Sequence, residues 1–117
     1  MSLAIAELLD LRETPHAALF DGRHFPWEVL PHLGAFFERL GRPVVRGRVA
    51  PSAVLEGDVW IGEGTIVEPH VMIRGPAWIG RNATVRHGAY LRGNVLAGDG
   101  CTLGHSCEFK NCVLFNE

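Results

Sequence analysis

The chain has 117 residues, 47% of them hydrophobic and 21% charged, with a formal net charge of −2. This is the composition of one soluble domain, and it gives no electrostatic reason to expect nucleic acid or a membrane surface as a partner. No apolar run reaches membrane-spanning length and no basic-then-apolar leader opens the chain, so a cytoplasmic location is expected.

Residues 1–45 read as a helical N-terminal cap segment. Leu3, Ile5, Leu8 and Leu9 suggest a short helix with Ser2 as its N-cap. A second helical pattern runs from Trp27 to Leu40, with apolar residues at Trp27, Leu30, Leu33, Phe36, Phe37 and Leu40. Pro26 and Pro31 each suit a first helical turn, and Gly41 and Pro43 end the pattern. A segment this short has no core of its own and has to pack on the rest of the chain or on a neighbour.

Residues 46–117 carry a six-residue beat. Counted from Val49, eleven full hexads follow one another without a slip of register. The first place is aliphatic or aromatic, from Val49, Leu55 and Ile61 through to Phe109 and Phe115. The fifth is small or β-branched, as at Ala53, Val59, Thr65, Val71 and Ala77. The third and fourth hold turn formers such as Gly57-Asp58, Arg81-Asn82 and Gly93-Asn94. Side chains in a strand alternate faces, so the fifth place of one hexad and the first of the next both point inward. Strand and corner repeated three times make a triangular coil of eighteen residues, and about four coils are expected. Stacked coils bring residues eighteen apart one above another, about 4.8 Å apart. A helix would not hold a strict six-residue beat with glycine and proline at the corners.

That geometry lets the outside be read column by column. One face carries Trp60, Trp78, Leu96 and Leu114 beside Gly62, Gly80 and Gly98. It is apolar and calls for cover, by the N-terminal helices or by another subunit. A second carries Ile66, Thr84 and Thr102 beside Glu68, Arg86 and Gly104. The corner after it stacks His87 on His105, with His70 one place along, which makes these histidines candidates for a metal at a subunit boundary or for plain solvent-facing corners. The third face carries Val54, Met72, Tyr90 and Glu108 beside Glu56, Arg74, Arg92 and Lys110. Three stacked cations at that spacing repel by roughly 1 kcal/mol per pair even in water. An anion relieves this, and so does pairing with Glu56 and Glu108; both readings stay open at this point. Cys101, Cys107 and Cys112 form no CxxC pair, and Cys101 and Cys107 fall at inward places, as small core residues of a reducing compartment.

The beat resembles the hexapeptide-repeat β-helix of many acyltransferases, and the resemblance implies a left-handed coil, a mainly β fold and trimeric assembly. Residues 73–111, with the elements Leu91-Arg92-Gly93 and Glu108-Phe109-Lys110, resemble the acetyltransferase domain of UDP-N-acetylglucosamine pyrophosphorylase / glucosamine-1-phosphate N-acetyltransferase. Pro26-Trp27-Glu28 resembles an element of shorter sugar-phosphate nucleotidyltransferase-like relatives, so that the likeness covers residues 17–117. It implies that Arg92 and Lys110 hold the phosphate of a sugar phosphate or UDP-sugar, with Arg74 and Tyr90 as further candidates. It implies acetyl-CoA as co-substrate of a full-length parent, with no cofactor bound to this part. The histidine base it implies falls downstream of Glu117, and His87 and His105 do not match its element. The chain is therefore expected to be a catalytically incomplete portion of a sugar-phosphate acyltransferase, forming a trimer or an end-to-end dimer. The γ-carbonic anhydrases share the fold, but a metal site of their kind needs a further histidine, and position 110 is lysine. The alternative from another class is a non-catalytic assembly module.

Overall fold

The structure, a computed structural model, describes residues 33–115. The helix expected after Ser2, the Pro26-Trp27-Glu28 element and the start of the Trp27–Leu40 pattern lie outside the described residues. Within them, the last part of that pattern forms one helix, α1 (Leu33–Glu38).

The hexads form a parallel β-solenoid of about four turns, with three four-stranded sheets as its walls. The first wall holds β1 (Arg48–Val49), β4 (Ile66–Val67), β7 (Thr84–Val85) and β10 (Thr102–Leu103). The second holds β2 (Val54–Glu56), β5 (Met72–Arg74), β8 (Tyr90–Leu91) and β11 (Glu108–Phe109). The third holds β3 (Val59–Ile61), β6 (Ala77–Ile79), β9 (Val95–Ala97) and β12 (Cys112–Leu114). Each strand pairs with its neighbours one circuit away, the inner strands of a wall on both sides and its end strands on one, as Val49 with Val67 and Val67 with Val85. The crossover that a parallel pair requires is here the rest of the coil.

The inward places build the core as the beat predicts. Ile73, Ile79, Val85, Leu91 and Leu103 are fully buried, and fifth-place Val71, Ala77, Ala83, Ala89 and Val95 fill the space beside them. Burying an Ile, Leu or Val contributes about 1.5–3 kcal/mol, so this column supplies the main driving force. Thr65 is the one buried polar residue among those described, and its hydroxyl is satisfied. It donates to the Gly80 carbonyl at 2.6 Å and accepts from the Ala83 amide at 3.1 Å. Corners turn through left-handed backbone at His70 (φ 61°), Asn82 (φ 53°) and Ser106 (φ 52°), all fourth places of their hexads. Asn and His are among the side chains most tolerant of that region.

The apolar third wall is covered by α1. Phe37 is buried, and its ring stacks on Trp60 at 6.1 Å between centroids. Leu96 lies in the same cluster with Phe36, Leu40, Trp78, Val113 and Phe115 packed around it. The Trp60 indole N–H donates to the Arg42 carbonyl at 3.1 Å, which ties the segment after α1 to the same wall.

One expectation fails. The register slips by one residue in the last turn: Cys112 pairs with Val95, Val113 with Leu96 and Leu114 with Ala97. The unbroken beat would have placed Val113 over Val95 and Leu114 over Leu96. The corner before β12 is one residue shorter than the corner below it. Asn111 alone (φ 49°) makes the turn that Gly93 (φ 111°) and Asn94 (φ 53°) make one coil earlier. The Asn94 side-chain amide donates to the Asn111 side-chain carbonyl at 2.9 Å, and the Cys112 amide donates to the Asn94 carbonyl at 3.1 Å. A one-residue shift exchanges the two faces of a strand. Cys112 and Leu114 therefore pack on the interior core, and Val113 joins the outer cluster around Trp60. Cys107 departs too: Cys101 is buried but Cys107 is exposed, and it belongs to the last described turn, with no strand stacked beyond that turn among the described residues.

The glycine column at the corner of the third wall is a packing requirement. A Cβ on Gly62 would lie 2.5 Å from the carbonyl carbon and oxygen of Gly80, both backbone atoms of the next coil. Gly62→Ala is expected to destabilise the fold by about 2 kcal/mol, the scale of overpacking a closed interior. The check is the urea midpoint at unchanged slope; an unshifted midpoint would mean that the coils separate freely at this corner.

Candidate functional site

The second wall brings the sequence-predicted residues together. Met72 lies beside Tyr90, Tyr90 beside Glu108, and Glu56 beside Arg74. Leu91 pairs with Phe109, and the Arg92 amide donates to the Phe109 carbonyl at 2.8 Å. One step beyond that pair, Arg92 and Lys110 stand side by side at the edge of the same wall. All four candidate ligands, Arg74, Tyr90, Arg92 and Lys110, thus belong to one surface, and their side chains leave the buried column of Ile73, Leu91 and Phe109 in the outward direction.

Tyr90 sits between the two arginines. Arg74 Nη1 donates to the Tyr90 hydroxyl at 3.3 Å, and the Arg92 guanidinium carbon lies 5.9 Å from the centre of the same ring. Each arginine also has a carboxylate from a neighbouring coil. Arg74 Nε donates to Glu56 Oε2 at 3.3 Å, and Arg92 Nη1 donates to Glu108 Oε1. The Tyr90 oxygen first, and Glu56 second, hold the Arg74 guanidinium above the ordinary arginine value. Glu108 does the same for Arg92. Both guanidinium groups therefore stay cationic. Lys110 is exposed and makes no ion pair among the described residues. Three cations and two carboxylates leave the patch one net positive charge, gathered at the Arg92–Lys110 end.

The arrangement can hold an anion. Arg92 offers a planar fork of N–H donors and Lys110 a mobile point charge beside it, and Tyr90 adds an aromatic face. The histidines lie on another corner. There the ring that meets His87 is that of His70, at 5.3 Å and nearly perpendicular, and the His87 amide donates to Glu68. Among the described residues no group of three or more His, Cys, Asp or Glu side chains is arranged to hold a metal ion.

The sequence reading missed a groove. Beside Trp60 and Trp78, where a flat apolar face was expected, lies a cavity of about 510 Å³. Arg42, Arg46, Arg81 and Asp99 contribute to its lining. The signal was weak, because Arg42 and Arg46 precede the first hexad and no periodicity assigns them a face. Val45 in fact pairs with Ile61, sixteen residues on, out of step with the beat.

A scan against models of known protein families matches none of them, and no curated protein matches the chain. Among the described residues no helix is long and apolar enough to cross a membrane.

The charged column is solvated, with side chains 44–57% exposed in the Arg74–Glu56 and Arg92–Glu108 pairs, and exposed pairs contribute little to stability. Arg74→Gln and Arg92→Gln are each expected to change the melting temperature by less than about 2 °C. A larger drop on thermal unfolding would identify the column as a structural staple.

Proposed function

We propose that this chain is the sugar-phosphate-binding portion of a left-handed hexapeptide-repeat acyltransferase. Its parent transfers acetyl from acetyl-CoA to an amino-sugar 1-phosphate. The observation that carries the reading is the adjacency of Arg92 and Lys110 at the edge of one wall, held there by the Leu91–Phe109 pair beneath them. Two cations of different geometry on neighbouring strands suit a phosphate monoester: the guanidinium takes two oxygens in its plane and the ammonium takes the third. Tyr90 suits the apolar face of a sugar ring. The reading gives binding to these residues and leaves acetyl transfer to the parent, with acetyl-CoA as its co-substrate. The parent is a cytoplasmic trimer in this reading, since the resemblance that suggests the chemistry also suggests that assembly.

A second reading is a non-catalytic assembly solenoid, a trimer or an end-to-end dimer. It is favoured by one specific observation: both arginines of the column already have carboxylate partners, so the ladder needs no ligand to balance it.

Titration of the chain with glucosamine 1-phosphate and with UDP-N-acetylglucosamine, followed by NMR, separates the two. Saturable binding is expected, weakened about tenfold by Arg92→Ala and by Lys110→Ala, the scale of one lost charge-assisted hydrogen bond. Arg92→Lys is expected to restore little of it, because an ammonium cannot present the fork. Binding that survives Arg92→Ala would remove the site. A defined oligomer by sedimentation with no affinity for either ligand would establish the assembly reading.

A further inference from the structure

Resting on the phosphate-binding reading, one feature of the second wall sets a condition on what that site accepts. Glu108 is the outward neighbour of Tyr90, on the strand that ends next to Lys110. Its carboxylate oxygen Oε1 accepts from Arg92 Nη1, the donor that the reading assigns to a ligand oxygen. The site as it stands is therefore filled by a carboxylate of its own. The pair is open to water, with 44% of the Arg92 and 53% of the Glu108 side chain exposed, so the carboxylate can swing away without being left buried and unpaired. Lys110, on the far side of Arg92 from the Glu56–Arg74 pair, has no such partner among the described residues.

We propose that Glu108 is a built-in counter-ion which a doubly charged phosphate monoester displaces from Arg92, and which a singly charged anion does not. A tethered carboxylate competes at an effective concentration in the millimolar range. A monoanion offers Arg92 no more charge than Glu108 already supplies, and it has no tether, so exchange gains nothing. A phosphate monoester carries close to two charges above its second pKa of about 6. One replaces Glu108 at Arg92 and the other meets the ammonium of Lys110. Glu108 thus lowers the affinity for every anion and leaves only the dianion above the threshold. Glu56 holds Arg74 in the same manner one coil away, but Lys110 does not adjoin Arg74, so the exchange there lacks the second cation that the dianion needs.

The test uses glucose 1-phosphate and its singly charged isostere glucose 1-sulfate at pH 8, titrated into the full chain, Glu108→Gln, Glu108→Asp and Arg92→Ala. Wild-type protein is expected to bind the phosphate and to show little binding of the sulfate. Glu108→Gln is expected to tighten the phosphate about threefold, the range of an exposed ion pair, and to make sulfate binding measurable. Glu108→Asp keeps the charge and loses the reach, so it is expected to follow Gln. In wild-type protein the Glu108 carboxyl carbon and the Arg92 Nε–H signals are expected to move together with the phosphate titration. Arg92-dependent phosphate binding that Glu108→Gln leaves unchanged would overturn the counter-ion role and keep the phosphate site. Asp behaving as wild type would also overturn it, by showing that only the field of the charge matters. Absence of phosphate binding in both wild type and Glu108→Gln would overturn the site together with its counter-ion.

Discussion

Backbone hydrogen bonds between residues one circuit apart are the constraint on which this molecule rests. Its strands are two or three residues long, too short to persist alone, and each is held by the strands one circuit away. The Ile66 amide reaches Ala83, the Thr84 amide reaches Cys101, and the first wall continues so through its four strands. The side chains answer to this spacing. At Gly62 the next coil lies so close that no β-carbon fits. At Thr65 a hydroxyl spans the step, bonded to Gly80 and Ala83 of the coil above it. The inward column of Ile, Leu, Val and Ala drives the collapse, and the ladder decides where every residue of it goes.

A ladder with that spacing turns sequence repeats into columns, and columns concentrate whatever chemistry they carry. Like charges one strand apart repel, so a run of Arg74, Arg92 and Lys110 needs an answer. The solenoid answers from within: Glu56 below the run and Glu108 beside it each take one arginine, and Tyr90 lies between the two guanidinium groups. The result is a surface with its charge nearly balanced at one end and unbalanced at the Arg92–Lys110 end. The same principle on the first wall pairs Arg86 with Glu68 at 3.8 Å, where no third cation follows. What sets the second wall apart is an exposed lysine directly beside a paired arginine, and that adjacency is what makes it a candidate for binding an anion.

The walls were legible because the beat has a single physical meaning over most of its length. From Val49 to Phe109, exposed Cys107 apart, the inward and outward places fall where the hexads put them, and the columns of the second wall are legible in the sequence. The slip at Asn111 is not. Cys112 and Val113 are both acceptable inside, so the pattern does not choose between them, and the choice is made by the length of a corner. An Asn in left-handed backbone turns the chain in one residue where Gly93 and Asn94 use two. The groove beside Trp78 was hidden for a related reason: Val45 enters sixteen residues before its partner Ile61, and the segment that carries Arg42 and Arg46 belongs to no repeat. Charge pairing was legible as an option only, since carboxylates beside a run of cations allow several partners and side-chain geometry picks among them.

The slip also bears on the candidate site, because it begins immediately after Lys110. Arg92 is fixed from beneath by Leu91, which is fully buried in a strand paired on both sides. Lys110 follows Phe109, which is only partly buried, and precedes the shortened corner. What stops the slip from reaching back into the second wall is the bond from Asn94 to Asn111, together with the Asn111 amide on the Gly93 carbonyl at 3.1 Å. These lock the corner while Phe109 is still in register with Leu91. The two cations are therefore positioned by different means, Arg92 by the core and Lys110 by a polar corner. A site built this way keeps its guanidinium fixed and leaves its ammonium on the softer support, which suits a fork that must donate to two ligand oxygens in a plane and a point charge that need only be near.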